Sequence, residues 1–109
     1  MSKRSLTPEV MALVAERFKV LAEPARLQIL DALRQKERTV SEIVEKTGLG
    51  QANVSKHLQV LYAQGFVARR REGLFAYYEL ADEQVFQLCE IMCVRLEAQA
   101  RSRRRVLAS

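Results

Sequence analysis

The chain has no tryptophan, one histidine, two cysteines, two prolines and four glycines in 109 residues. Two cysteines, Cys89 and Cys93, do not build a secreted disulfide scaffold. So little proline and glycine, beside 49% apolar residues, excludes a low-complexity or compositionally disordered chain. No run approaches the roughly 20 apolar residues of a membrane span. The opening "MSKRSLTPEV" lacks a hydrophobic stretch followed by a small-residue cleavage site. These absences predict a cytoplasmic chain with no membrane partner. A lone histidine, without a glycine-rich phosphate loop or an HExxH pattern, leaves no spacing that assembles a catalytic group. An enzyme is not expected. The length fits one domain, 1–109, with a modest core that a dimer interface would enlarge.

Positive charge is what the chain has in excess. Eighteen Lys/Arg against thirteen Asp/Glu give a formal net charge of +5 and a pI near 9.6. A small basic domain favours polyanionic partners, nucleic acid among them. The plainer reading of such charge is solubility.

The apolar spacing predicts a mostly helical fold with a small β-hairpin, in the order α-α-α-α-β-β-α. Thr7 and Pro8 suit the start of a helix over 8–22, on which Val10, Leu13, Val14, Phe18 and Leu21 recur at helical spacing. Pro24 opens a second helix carrying Leu27, Ile29, Leu30 and Leu33, and "RQKER" reads as a polar connection. In 39–63, Ser41 caps a short helix or lies in its first turn, with Val40, Ile43 and Val44 inward. Gly48 is placed to end that helix in the left-handed conformation. Leu49 plugs the turn, and Gly50 precedes a helix running to about Ala63. Val54, Leu58 and Leu61 share one face of it; Ala52, Ser55, Lys56 and Gln59 point away, Gln51 sits at the start and Asn53 on the flank. Two short helices joined by a glycine-containing turn form a helix-turn-helix.

Residues 66–80, "FVARRREGLFAYYEL", predict a hairpin turning at "EG". Phe75, Tyr77 and Leu80 are expected to contribute its aromatic and apolar strand residues, with Tyr78 on a more polar face. Arg69, Arg70 and Arg71 run into the turn, making a basic wing able to reach phosphates or a narrow minor groove. A last helix covers about 82–100, with Asp82 at its start and Val85, Leu88, Cys89, Met92 and Leu96 on one broad face. The basic tail 101–109 carries arginines at 101 and 103–105. Its end is expected to fray; a solubilising tail, an extra phosphate contact and a helix extension all fit it.

"LAEPARLQILDAL" over 21–33 and "TVSEIVEKTGLGQANVSKHLQVLYAQGFVARRREGLFAYYEL" over 39–80 resemble the ArsR/SmtB family of bacterial winged-helix repressors. With the terminal helices, the resemblance covers nearly the whole chain. It implies a winged helix-turn-helix homodimer joined through helices 7–22 and 82–100, and a double-stranded, imperfectly palindromic operator as partner. By the same likeness Gln51, Asn53, Ser55, Lys56, His57 and Gln59 face DNA, and Arg69 to Arg71 with Glu72-Gly73 match the wing. Amides at Gln51, Asn53 and Gln59 suit base edges, whereas Ser55 and Lys56 suit phosphates. His57 either touches a phosphate or packs beside Leu58 and hydrogen-bonds locally.

The chain departs from the best-known sensor patterns of that family. The arsenic-sensing type has cysteines where this chain reads "RTVSEIVEKT". Asp82 matches the acidic residue of the zinc-sensing type, but Gln84 and Arg95 stand where histidines are expected. Asp82 is therefore read as a helix cap, and no metal site is assigned. Cys89 and Cys93 remain. Buried cysteines often serve as small hydrophobes. The functional reading is a thiol site for a soft metal, a metalloid or an oxidant, shared across a dimer. Cβ atoms four residues apart on a helix lie ~5–6 Å from each other, whereas a disulfide wants ~3.5–4.5 Å. An intrachain disulfide would strain or unwind the last helix. A constitutive regulator, or a winged helix used for protein contact, needs no effector.

Overall fold

Thr7 starts the first helix as the spacing predicts. Its hydroxyl accepts from the Val10 N–H at 3.2 Å, and Pro8 occupies the first helical position. In this computed structural model, which describes residues 5–108, the element order is α1 (Pro8–Leu21), α2 (Pro24–Ala32), β1 (Arg38–Thr39), α3 (Val40–Thr47), α4 (Gln51–Ala63), β2 (Val67–Glu72), β3 (Phe75–Leu80) and α5 (Val85–Ala108). Residues 1–4, and Ser109 at the end of the expected tail, lie outside the described residues.

Local chemistry explains the helix-turn-helix. Thr39, rather than Ser41, caps α3. Its hydroxyl accepts from the Glu42 N–H at 3.2 Å, and the Glu42 carboxylate accepts from the Thr39 N–H at 2.9 Å. This reciprocal box satisfies two donors at once. The backbone N–H of Thr39 is the main cause holding the Glu42 carboxyl below its ordinary pKa. Gly48 ends α3 at φ 76°, and its N–H donates to Val44 at 2.8 Å. An L side chain rarely adopts that backbone conformation.

The core gathers Ile29, Leu30 and Leu33 near α2, Ile43 from α3, Val54, Leu58 and Leu61 from α4, and Phe66, Val67 and Tyr78 from the hairpin. Leu49 packs against it from the turn, half-buried. The strands form one antiparallel sheet in the order β1-β3-β2.

Three expectations change. The connection "RQKER" is not wholly irregular: its last residue, Arg38, pairs with Tyr78, and Thr39 with Tyr77. A two-residue strand is too short to show a period. Leu80 packs against the core as an apolar strand residue should, but two aromatics of the hairpin depart from the expectation. Tyr78 is buried and Phe75 is exposed, because Val67 pairs with Leu80 and carries Tyr78 and Ala76 to the core side with it. Finally, the bounds of the last helix shift: α5 begins at Val85 and continues through Ala108, which agrees with the helix-extension reading of the tail and puts Arg101 and Arg103 to Arg105 on the helix. Asp82 caps the turn before it, accepting from the Gln84 N–H at 3.0 Å.

The terminal helices keep their apolar faces uncovered. Leu13, Val14 and Phe18 on α1 are exposed, as are Leu88, Ile91, Met92 and Leu96 on α5. Among the described residues, no helix is long and apolar enough to cross a membrane.

Loss of the Thr39 hydroxyl by Thr39→Ala is expected to lower stability by about 1 kcal/mol in chemical denaturation. Ser41→Ala, at an exposed position inside the first turn, is expected to change it by less than about 0.5 kcal/mol.

Candidate nucleic-acid interface

The outer face of α4 is set by its inner one. Val54, Leu58 and Leu61 are fully buried, and the 3.6-residue period then turns Ala52, Lys56 and Gln59 outward. Gln51 and Asn53 are also exposed, at the first turn, while Ser55 is half-buried. The structure thus brings the two amides Gln51 and Asn53 to the start of the helix and Lys56 and Gln59 to its middle.

His57 is differently placed. It is half-buried, and its Nδ1 accepts from Arg26 Nε at 3.1 Å. Accepting at Nδ1 commits the imidazole to carrying its proton on Nε2. Arg26 also donates to the Val20 carbonyl at 3.2 Å, so this pair ties α4 to α2 and the end of α1. Arg26 carried no signal in the sequence.

The three wing arginines do not form one patch. Alternation along β2 puts Arg69 opposite Tyr78 and Arg71 opposite Ala76, on one face, and Arg70 opposite Tyr77 on the other. The Arg69 guanidinium lies 4.7 Å from the centroid of the Tyr62 ring, stacking the wing on the end of α4. Arg71 is exposed and makes no hydrogen bond or ion pair among the described residues. Arg70 is consumed within the fold. It donates to both oxygens of Glu37, with Nε to Oε2 at 2.9 Å, pairs with Glu72, and lies 4.6 Å from the Tyr77 ring centroid. The Arg70 hydrogen bond holds the Glu37 carboxyl below its usual pKa, and the two carboxylates raise that of Arg70. Glu37 sits in the connection before β1, so this fork fastens the hairpin to the body of the domain.

Cys89 is half-buried and Cys93 exposed; both are free thiols. They line a groove of about 500 Å³ with Phe18, Leu27, Leu88 and Met92. Among the described residues there is no group of three or more His, Cys, Asp or Glu side chains arranged to hold a metal ion.

A family model described as "Bacterial regulatory protein, arsR family" matches residues 23–69. The "Transcriptional repressor SmtB homolog" of Synechocystis sp. is 38% identical over 90 residues, which cover 78% of this chain and 68% of that protein. The crystal structure of Mycobacterium tuberculosis Rv0081 matches with a TM-score of 0.76 and 35% identity, covering 89% of this chain and 98% of that one. The solution structure of the homodimeric winged helix-turn-helix DNA-binding domain Mb0332 from Mycobacterium bovis matches with a TM-score of 0.71 and 38% identity, covering 92% and 94%.

The wing fork has a definite pH sign. A carboxylate whose folded pKa is depressed contributes stability above its unfolded value, and that contribution is lost as pH falls through the folded one. Acid titration of the Arg70 Nε–H resonance is expected to show this transition below the ordinary carboxylate range, and Glu37→Gln is expected to abolish it. An unchanged transition in that variant would mean that Glu37 is not the titrating partner.

Proposed function

The chain belongs to the arsR family of bacterial regulatory proteins, dimeric winged-helix DNA-binding repressors rather than enzymes, and from that premise we propose that two copies bind one imperfectly palindromic operator. The observation that carries this reading is the exposed row Gln51, Asn53, Lys56 and Gln59 on a helix whose opposite face is fully buried. α4 enters the major groove. Amides hydrogen-bond base edges in pairs, which assigns Gln51, Asn53 and Gln59 to sequence reading. Lys56 and Ser55 hold phosphates and set register. Arg69 and Arg71 carry the wing to the adjacent backbone. Arg70 and His57, occupied by Glu37 and Arg26, orient the wing and the reading helix.

The boundaries follow from this division of labour. Segments 7–22 and 82–100 join the two copies through the uncovered faces of α1 and α5, 39–63 is the helix-turn-helix, and 66–80 is the wing. A dimer with two reading helices about 34–36 Å apart reads half-sites one DNA turn apart.

Operator affinity is modulated through Cys89 and Cys93. The support is their place together in one apolar groove on the dimer-forming helix. With two sulfurs per chain, a soft metal or metalloid would need thiolates from both copies, whereas a thiol oxidant needs only one pair. Either chemistry changes the packing of α5, which the dimer depends on.

Fluorescence anisotropy on the upstream promoter fragment tests the DNA reading. Affinity is expected to fall linearly with salt on a log–log plot. Lys56→Ala is expected to weaken promoter and scrambled duplexes alike and to lower the salt slope by about 1. Gln59→Ala is expected to lose about 1–3 kcal/mol of discrimination; equal losses on both duplexes would remove its base-reading role. Binding with neither salt dependence nor preference would point to a protein partner. In the same assay, a mild thiol oxidant or persulfide donor is expected to weaken binding, with reductant restoring it and Cys89→Ser or Cys93→Ser abolishing the response. Unchanged binding after treatment would leave both cysteines as apolar fillers of a constitutive regulator.

A further inference from the structure

One side chain of α1 reaches the end of the reading helix. Arg17 Nη1 donates to the carbonyl of Gln64, the C-cap of α4, at 2.7 Å. Its Nη2 meets Asp82 Oδ2 at 3.5 Å. Its guanidinium lies 4.2 Å from the centroid of the Phe66 ring. These partners are the end of α4, the root of the wing and the turn that opens α5.

Each partner is itself fixed. The other oxygen of Asp82 accepts from the Gln84 N–H at 3.0 Å. Phe66 is 2% exposed, so its ring is a rigid platform. Its N–H donates to the Leu61 carbonyl at 2.9 Å, and its carbonyl accepts from the Ala81 N–H at 3.0 Å.

The last carbonyls of a helix are unpaired acceptors at the negative end of its dipole. The last turn of α4 contains no basic residue of its own. Arg17 brings the missing cation from another helix. A planar fork with a flat face makes all three contacts at once; a lysine ammonium does not. The exposed Asp82 pair is the weakest of the three, leaving the Gln64 bond and the Phe66 stack as the principal hold. Arg17 also lines a cavity of about 360 Å³ with Val14, Phe18, Leu88 and Ile91, side chains of the two uncovered helices.

We propose that Arg17 is a positioning residue that sets the angle of α4 against α1 and α5, and through it the geometry of the two reading helices on DNA. The proposal rests on the DNA-binding reading above. It makes Arg17 the link by which a change at the seam between the terminal helices reaches the DNA face.

The test compares the wild-type dimer with Arg17→Gln and Arg17→Lys on promoter and scrambled duplexes over a range of salt. Arg17→Gln is expected to lose about tenfold in preference for the promoter duplex. Its salt slope and its dimer dissociation constant stay as in the wild type. Arg17→Lys, which keeps the charge without the fork, recovers part of the preference. The amide resonance of Gly65, in the same peptide unit as the Gln64 carbonyl, shifts in Arg17→Gln. Unchanged preference overturns the proposal. So does an equal loss on both duplexes with a shallower salt slope, which would make Arg17 a phosphate contact. Loss of preference only in step with dimer dissociation overturns it as well. Should Arg17→Gln fail to fold, Arg17→Lys decides: reduced preference at an unchanged salt slope and dimer dissociation constant supports the proposal, and wild-type preference overturns it. A wild-type protein without any preference for promoter DNA defeats the DNA-binding reading itself, and the proposal with it.

Discussion

The exposed amide face of α4 depends on the burial of three residues that face away from it. Val54, Leu58 and Leu61 meet Ile29, Leu30, Ile43 and Phe66 with no exposed surface of their own. Removing one such leucine costs about 2–5 kcal/mol, a large share of the roughly 5–15 kcal/mol that holds a domain together. That burial fixes the roll of α4. A turn of one residue, about 100°, would drive polar side chains into the core without partners. The identity of the outward-facing row is therefore decided by packing, before any ligand is present.

The wing follows a second constraint, strand alternation. Three consecutive arginines look like one basic patch in the sequence, but a strand sends neighbours to opposite faces. Arg69 and Arg71 fall on one side. Arg70 falls on the other, where Glu37 and Glu72 neutralise it. One arginine of the run therefore acts as a fastener for the other two.

The legible parts of the fold were those written in local spacing. The helices, the left-handed Gly48, the buried face of α4 and the hairpin all follow from period and punctuation. β1 did not, since two residues have no period. The inward side of β3 did not, because "FAYYEL" carries apolar or aromatic residues at both parities and the register with Val67 makes the choice. The amide row of α4 was legible as an exposed face. The groups that brace it were not: Arg17, Arg26 and Glu37 are charged residues with no pattern of their own. Their partners lie 47, 31 and 33 residues away. The sequence likewise left His57 between two roles, and its bond to Arg26 is a fact of packing between helices.

α5 has a consequence of another kind. Beyond Cys89 every residue from Glu90 to Leu107 is exposed in the single chain. A helix with so little cover is marginal in water, because propagation alone barely offsets the cost of nucleation. In the proposed dimer, that cover is supplied by a second copy. The folded state of this region is then subject to mass action. Its melting temperature rises with the concentration of the chain, so abundance, ordinarily a property of the cell, becomes a determinant of the fold.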